Sequence, residues 1–350
     1  MAVERAAKEP GASAIEVPSE FLYAKLHGRR ATIYEGEKLH TLAQASDVAD
    51  LAYRLFPQAP PADQFELELQ IQNACVEELA SLGRFTAGPQ RALYDALMHR
   101  YVVEDLKVLL RLFKQEGAEP EQVSLIHLPP AYALPVELLA ESANVEQFLG
   151  RIPVRAIRRS ALDALPIYRE TGRKAFLEMA MDRGVWQEVG EALEELPAAD
   201  REECEPPIQC EFDTIRLTAV LRASRAYGIT WAQFGPLMPT GWGRLRTDTM
   251  RRLFEEPRME DVLNALSIIA PRGRRRLPAG GEADVALVED ALRREAAQLG
   301  FELFRSSENG FALLIAFFYL KQEETRQLLS LAQMVRRGMA SQEILAYLER

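Results

Sequence analysis

The stretch "LRASRAYGITWAQF", residues 221–234, reads as the end of one helix, a glycine stop and the start of another. Arg225 places positive charge at the carbonyl end of the first helix, and Gly228 can take the left-handed conformation that terminates it. Thr230 with Gln233 three residues on is a capping box for the second. A comparable stop occurs at "LRLFKQEGAEPEQV" and again at "LAQMVRRGMASQEI". Aligned on Gly117, Gly228 and Gly338, the three lie 111 and 110 residues apart.

The flanks fall into register. Apolar helical spacing precedes each glycine, through Val103, Leu106, Leu110 and Phe113, then Phe212, Ile215 and Ala219, then Leu328, Leu331 and Val335. Cations occupy the last turn at Lys114, Arg225 and the Arg336/Arg337 pair. Pro120, Thr230 and Ser341 mark the next helix starts, and Val123, Phe234 and Ile344 recur six residues past each glycine. A second pattern recurs independently in "LHTLAQASDVADLA" (39–52), "VELLAESANVEQFL" (136–149) and "MRRLFEEPRMEDVL" (250–263), which align without gaps as a short helix, a polar break and another short helix. Two patterns, each seen three times in the same order, point to an internal repeat of about 110 residues.

Longer helical segments fill each unit. They are 62–83 and 89–115 in the first, 164–196 in the second and 282–304 in the third, and strand-like alternation is nearly absent. The expected fold is all-α. Prolines and glycines interrupt the pattern at 125–135, at 234–243 and at 270–284. The units are drawn at 20–130, 131–236 and 237–350, behind a flexible lead over 1–19 that lacks the apolar run of a secretory signal.

The bulk composition excludes several classes. The chain has 350 residues, 48% hydrophobic, with 42 Lys+Arg against 52 Asp+Glu and a net charge of −10, so it is not a general nucleic-acid binder. The longest apolar run, Phe311–Leu320, has ten residues, too few to cross a bilayer, and reads as a buried core helix. Cys75, Cys204 and Cys210 lack a disulfide or zinc spacing and read as reduced thiols. No phosphate-binding glycine loop is present, and His27, His40, His99 and His127 are scattered, so no catalytic residue, cofactor site or metal site is expected. The acidic run 191–205 reads as a solvated helix face with its exit loop.

The closing segment "FFYLKQEETRQLLSLAQMVRRG" resembles the last helix of the C subunit of the V/A-type rotary ATPases, the counterpart of the d subunit of the eukaryotic vacuolar enzyme, at Tyr319, Lys321, Glu324, Arg326 and Gln327. "EFDTIRLTAVLRASRAYGITWAQFGPLMPTGWGRL" is similar to that family's second repeat, and the opening of the chain and 93–113 to its first, so the resemblance spans residues 20–350. Gln327 stands where the family pattern suggests Asn, and the arginines at 272–276 have no counterpart in that pattern.

The resemblance implies a non-catalytic rotor subunit. Three quasi-equivalent helical bundles would form a pseudo-threefold funnel that takes the tip of the central stalk, subunits D and F, on its wide face. Its base would sit on the membrane proteolipid ring without inserting, one copy per complex, peripheral on the cytoplasmic face, passing torque for proton or sodium transport. An alternative is an all-α repeat scaffold that binds other proteins through a concave face. Candidate joint or interface residues are Arg222, Arg225, Trp242 and Arg326, at or near the stops and inter-unit joints. Arg272, Arg274, Arg275 and Arg276 are candidates for an acidic partner surface or lipid headgroups.

Overall fold

A computed structural model of the protein describes residues 19–114, 125–226, 228–275, 277 and 284–348, and the side chains of Arg225 and Ala226 also lie outside the description. Among the described residues all regular structure is helical. Of the 1–19 lead only Ser19 is described, and it opens α1 (Ser19–Arg30).

A short pair, α2 (Glu37–Leu42) and α3 (Val48–Leu55), is followed by the long helices α4 (Gln64–Gly83) and α5 (Gly88–Leu112). The next short pair, α6 (Val136–Ala140) and α7 (Val145–Gly150), leads through α8 (Arg155–Asp163) and α9 (Leu165–Thr171) to the long α10 (Lys174–Glu194) and α11 (Ala198–Ala226). After α12 (Trp231–Phe234) come the third short pair, α13 (Thr247–Glu255) and α14 (Met259–Ile269), and the single turn α15 (Pro271–Arg274). The long α16 (Val285–Ser306) and α17 (Gly310–Arg336) follow, and α18 (Ser341–Leu348) ends the description.

The three short pairs lie where the gapless pattern puts them, and equivalent positions share burial. Leu42, Leu139 and Leu253 are buried, as are Leu51, Phe148 and Val262, while Val48, Val145 and Met259 are half-buried. In the first two pairs the polar break closes on itself. Asp47 Oδ1 accepts the Asp50 N–H at 2.8 Å, and the Asp50 carboxylate accepts the Ser46 N–H at 2.9 Å. Asn144 Oδ1 accepts the Gln147 N–H at 2.9 Å, and Gln147 accepts the Ala143 N–H at 2.6 Å. These bonds satisfy donors that a helix start leaves orphaned. Arg54 then donates to the Thr41 carbonyl at 2.9 Å, and Arg151 to the Leu138 carbonyl, which pins each pair across its break.

Among the long helices α5 packs against α10, α16 against both α11 and α17, and α17 against α4. Each short pair lies on a long helix. The second pair lies on α5 through α6, the third on α11 through α13, and the first on α17 through α3. Phe311–Leu320 forms the start of α17, and every one of its side chains is buried in the principal core. Burying a Phe or Leu contributes about 1.5–3 kcal/mol, so this helix is the largest single contributor to the centre of the molecule.

Two of the three stops are glycine caps. Gly228 has φ +54° and Gly338 φ +67°. At the latter the Gly338 N–H reaches the Val335 carbonyl at 2.9 Å and the Met339 N–H the Met334 carbonyl at 3.2 Å, a Schellman closure. The first differs. Helix α5 stops at Leu112, and Lys114 takes the left-handed conformation at φ +58°. Gly117, Pro120 and Val123 lie outside the described residues.

Two readings of the second unit need correction. The segment 164–196 is not one helix, because Gly172 at φ +68° separates α9 from α10. The acidic run 191–205 leaves α10 after Glu194 only for the short turn 195–197, since α11 begins at Ala198 and continues through Pro206 and Pro207. Two prolines remove two backbone donors, yet Cys204 and Ile208 on either side are completely buried, so packing holds the helix together where propensity alone would end it.

Candidate interface: a central cavity and its seams

Helices α4, α5, α11, α16 and α17 enclose a cavity of about 610 Å³. At its inner end three side chains meet from positions 111 residues apart in the chain: Arg100 on α5, Glu211 on α11 and Gln322 on α17. Arg100 donates to the Glu211 carboxylate through both terminal nitrogens, one at 2.7 Å, and Tyr319 donates its hydroxyl to Glu211 at 2.9 Å. Gln322, with its amide oxygen turned inward, accepts from Arg100 at 3.2 and 3.3 Å. Burial works against the Arg100 charge, and the Glu211 carboxylate outweighs it, so the guanidinium is held in its charged form. Beneath this cluster Leu97, Ile208 and Phe318 are fully buried, which makes it the floor. One turn outward, again at 111-residue intervals, Glu104, Ile215 and Arg326 line the wall.

A second threefold recurrence ties the units together. Asp105, Asp213 and Glu324, one on each of α5, α11 and α17, are buried carboxylates. Each accepts a backbone N–H from the segment that leads into the short pair packed on its own helix. Asp105 Oδ1 accepts from Ile126 at 3.0 Å. Asp213 accepts from Arg244 at 2.8 Å and Leu245 at 3.4 Å. Glu324 accepts from Tyr34 at 2.6 Å, joining the end of the chain to its beginning.

Their charge environments differ. Asp213 lies 3.3 Å from Arg216 and 3.7 Å from Arg244, and Arg216 also donates to the Leu245 carbonyl at 2.9 Å. Glu324 pairs with Lys321, which also reaches Glu78 on α4 at 2.8 Å. Asp105 has no ion pair among the described residues. Lys107, the cation nearest in sequence, is taken by Glu104 at 2.9 Å and Asp182 at 2.7 Å. Burial, reinforced by Glu104, pushes the Asp105 carboxyl up to about 7 against the pull of the Ile126 N–H.

The sequence-selected residues fall at several places. Arg222 is exposed and pairs with Glu289 on α16, which also receives Arg293, at the edge of the cavity. Arg326 lies in the wall, bonded to Glu323 at 2.5 and 2.7 Å and 3.9 Å from Asp290. Trp242 is not an exposed anchor. Its indole stacks on Phe212 with ring centroids 4.0 Å apart and lies so close to Gly190 that a Cβ there would come within 2.2 Å. Its buried Nε1 has no hydrogen-bond partner among the described residues.

Arg272 is already committed, to Glu295 at 3.4 Å and Glu302 at 2.9 Å, and the buried Glu295 carboxylate caps α15 through the Arg272 and Gly273 N–H groups at 3.0 and 3.1 Å. Arg274 is half-buried and Arg275 exposed, while Arg276 and the side chain of Arg225 lie outside the described residues. The selection by charge near the stops passed over Asp105 and Asp213, and it took Glu324 only as a point of likeness. The signal was an acidic pair followed by a cation within three residues, in "EDLK" (104–107), "EFDTIR" (211–216) and "EETR" (323–326).

No group of described residues could hold a metal ion, and no described helix is long and apolar enough to cross a membrane. Compared with known families, residues 22–347 match the one described as ATP synthase (C/AC39) subunit. The chain belongs to that family. Its members are structural, non-catalytic subunits of the membrane-associated V/A-type ATPase. An uncharacterized protein of Treponema pallidum (strain Nichols) is 23% identical over 372 residues, an alignment that covers 97% of this chain and 96% of that protein.

Proposed function

We propose that this C/AC39 chain is the rotor-coupling component that joins the central shaft of a V/A-type ATPase to its membrane ring. Three helical units, 20–130, 131–236 and 237–350, close around a pseudo-threefold axis as a funnel. The cavity receives the tip of the stalk, subunits D and F, and the opposite side rests on the proteolipid ring at the cytoplasmic face. Torque then passes through the body of the protein to drive proton or sodium transport, and no ATP needs to touch it.

The observation that carries this reading is the cavity floor, where Arg100, Glu211 and Gln322 meet from equivalent places in the three units. A rigid, centred socket is what torque transfer requires, and close-packed helices with bonded seams resist shear better than hinged ones. Ile215→Trp tests it by filling the cavity from a half-buried wall position. The variant is expected to fold and to lose ATP-driven ion pumping in reconstituted vesicles, while ATP hydrolysis by the catalytic head persists. A folded variant that pumps at the wild-type rate overturns the socket.

A further inference from the structure

We propose that Asp105, Asp213 and Glu324 are three copies of one latch, and that the Asp105 copy alone is built to release with a proton, loosening the seam between the first and second units as pH rises. The inference goes beyond the rotor reading and does not depend on it. The three sites share their construction: a buried carboxylate on a long helix, bonded to the backbone of the segment that enters the short pair lying on that helix. Two of them lie beside cations, Arg216 and Arg244 at Asp213 and Lys321 at Glu324.

Asp105 stands against the cavity with one backbone donor. The charged or titratable groups around it are Arg100, held by Glu211, with Tyr101, Glu104 and Lys107 on its own helix, Cys75 on α4, and Asp182 on α10, which holds Lys107. His127 lies on the held segment, and across the cavity are Glu211 on α11, Glu289 and Arg293 on α16, and the Glu323–Arg326 pair on α17. The cations across the cavity are taken: Arg293 by Glu289, Arg326 by Glu323. An ionised carboxylate here has lost its hydration without gaining a partner charge, so closing the seam favours the protonated acid. Besides the apolar packing of Ile126, Leu128, Tyr132 and Leu134 on the principal core, the held segment has two polar ties, the His127 N–H to Asn73 at 2.7 Å and Tyr132 to Asp95 at 2.6 Å. Ionisation of Asp105 therefore favours local opening of 126–136 without unfolding the core.

Hydrogen exchange on the full chain between pH 6 and 8, corrected for intrinsic rates, reads all three latches in one sample. With the carboxyl at about 7 when closed and near 4 when open, opening of 126–136 is expected to increase about tenfold across that range. The segments around Tyr34 and around Arg244–Leu245 should change less than twofold, and Asp105→Asn should make 126–136 flat as well. The latch is overturned if 126–136 is already flat in the wild type, if all three segments rise together, or if Asp105→Asn leaves the increase in place.

Discussion

The second and third short pairs sit on equivalent helices, α5 and α11, yet they are held by opposite means. The α6–α7 pair holds itself, with Asn144 and Gln147 closing the break and Arg151 bridging to Leu138. The α13–α14 pair has none of this. Pro257 has no N–H to donate, Arg258 makes no side-chain cap, and Ala265 stands where an arginine would pin the pair. What it has is a stronger anchor at its entry, where Asp213 is backed by Arg216 and Arg244, whereas Asp105 at the second pair has one backbone donor and no ion pair among the described residues. The lesson is that two similarly placed segments can be held by different shares of local and tertiary bonds.

The sharpest way to break this comparison is Asp213→Ala. It strands Arg216, whose side chain is almost completely buried, together with the Arg244 and Leu245 N–H groups. Removing one partner of a buried ion pair costs about 3–5 kcal/mol. Chemical denaturation should show a loss of that size, with hydrogen exchange fastest across 244–269. A loss under about 1 kcal/mol would mean that the third pair is held by its apolar contacts with α11 and that the charged anchor is incidental.

The entry to the second pair gives the next largest effect, through pH. The folded value of Asp105, about 7, lies above its unfolded one, so folding favours the protonated acid. Stability is greatest below about pH 4, declines as pH rises to 7, and is level above that, with a total loss of roughly 3–4 kcal/mol from this group. Asp105→Asn keeps an oxygen for the Ile126 N–H and should remove that decline, making the variant more stable than the wild type at pH 8 in urea unfolding. Equal slopes for the two proteins between pH 5 and 7 would show that the carboxyl is solvated and that the second pair's entry is as well compensated as the third's.

Much of this architecture was open to reading in the chain. The short pairs were legible because their apolar positions recur on a fixed spacing, and Gly228 and Gly338 because only glycine takes a left-handed cap without strain. The end of α5 was not, since Lys114 takes that conformation against the steric preference of a side chain with a Cβ. Pro206 and Pro207 would by propensity end a helix, which the buried Cys204 and Ile208 override. Arginines stand out in the sequence by their charge, but three of them are committed to glutamates: Arg222 to Glu289, Arg272 to Glu295, Arg326 to Glu323. The carboxylates that bind the units escaped because an acidic residue on a helix is usually solvated, and only the tertiary fold shows which one faces a backbone donor.

The smallest effect tests whether local and tertiary holding are interchangeable. Arg258 already has the extended backbone of a helix cap, at φ −73° and ψ 139°, and its only side-chain contact among the described residues is an exposed pair with Glu256. Such a pair contributes little. Arg258→Asn would supply the oxygen that Asp47 and Asn144 provide in the other two pairs and should gain about 0.5–1 kcal/mol, whereas Asp47→Ala should lose about 1 kcal/mol. In the Asp213→Ala background the anchor is gone, so if the two kinds of holding substitute for one another the added cap should gain more there than in the wild type. Equal gains in both backgrounds would mean that cap and anchor stabilise different parts of the third pair, and that its break is already ordered without either.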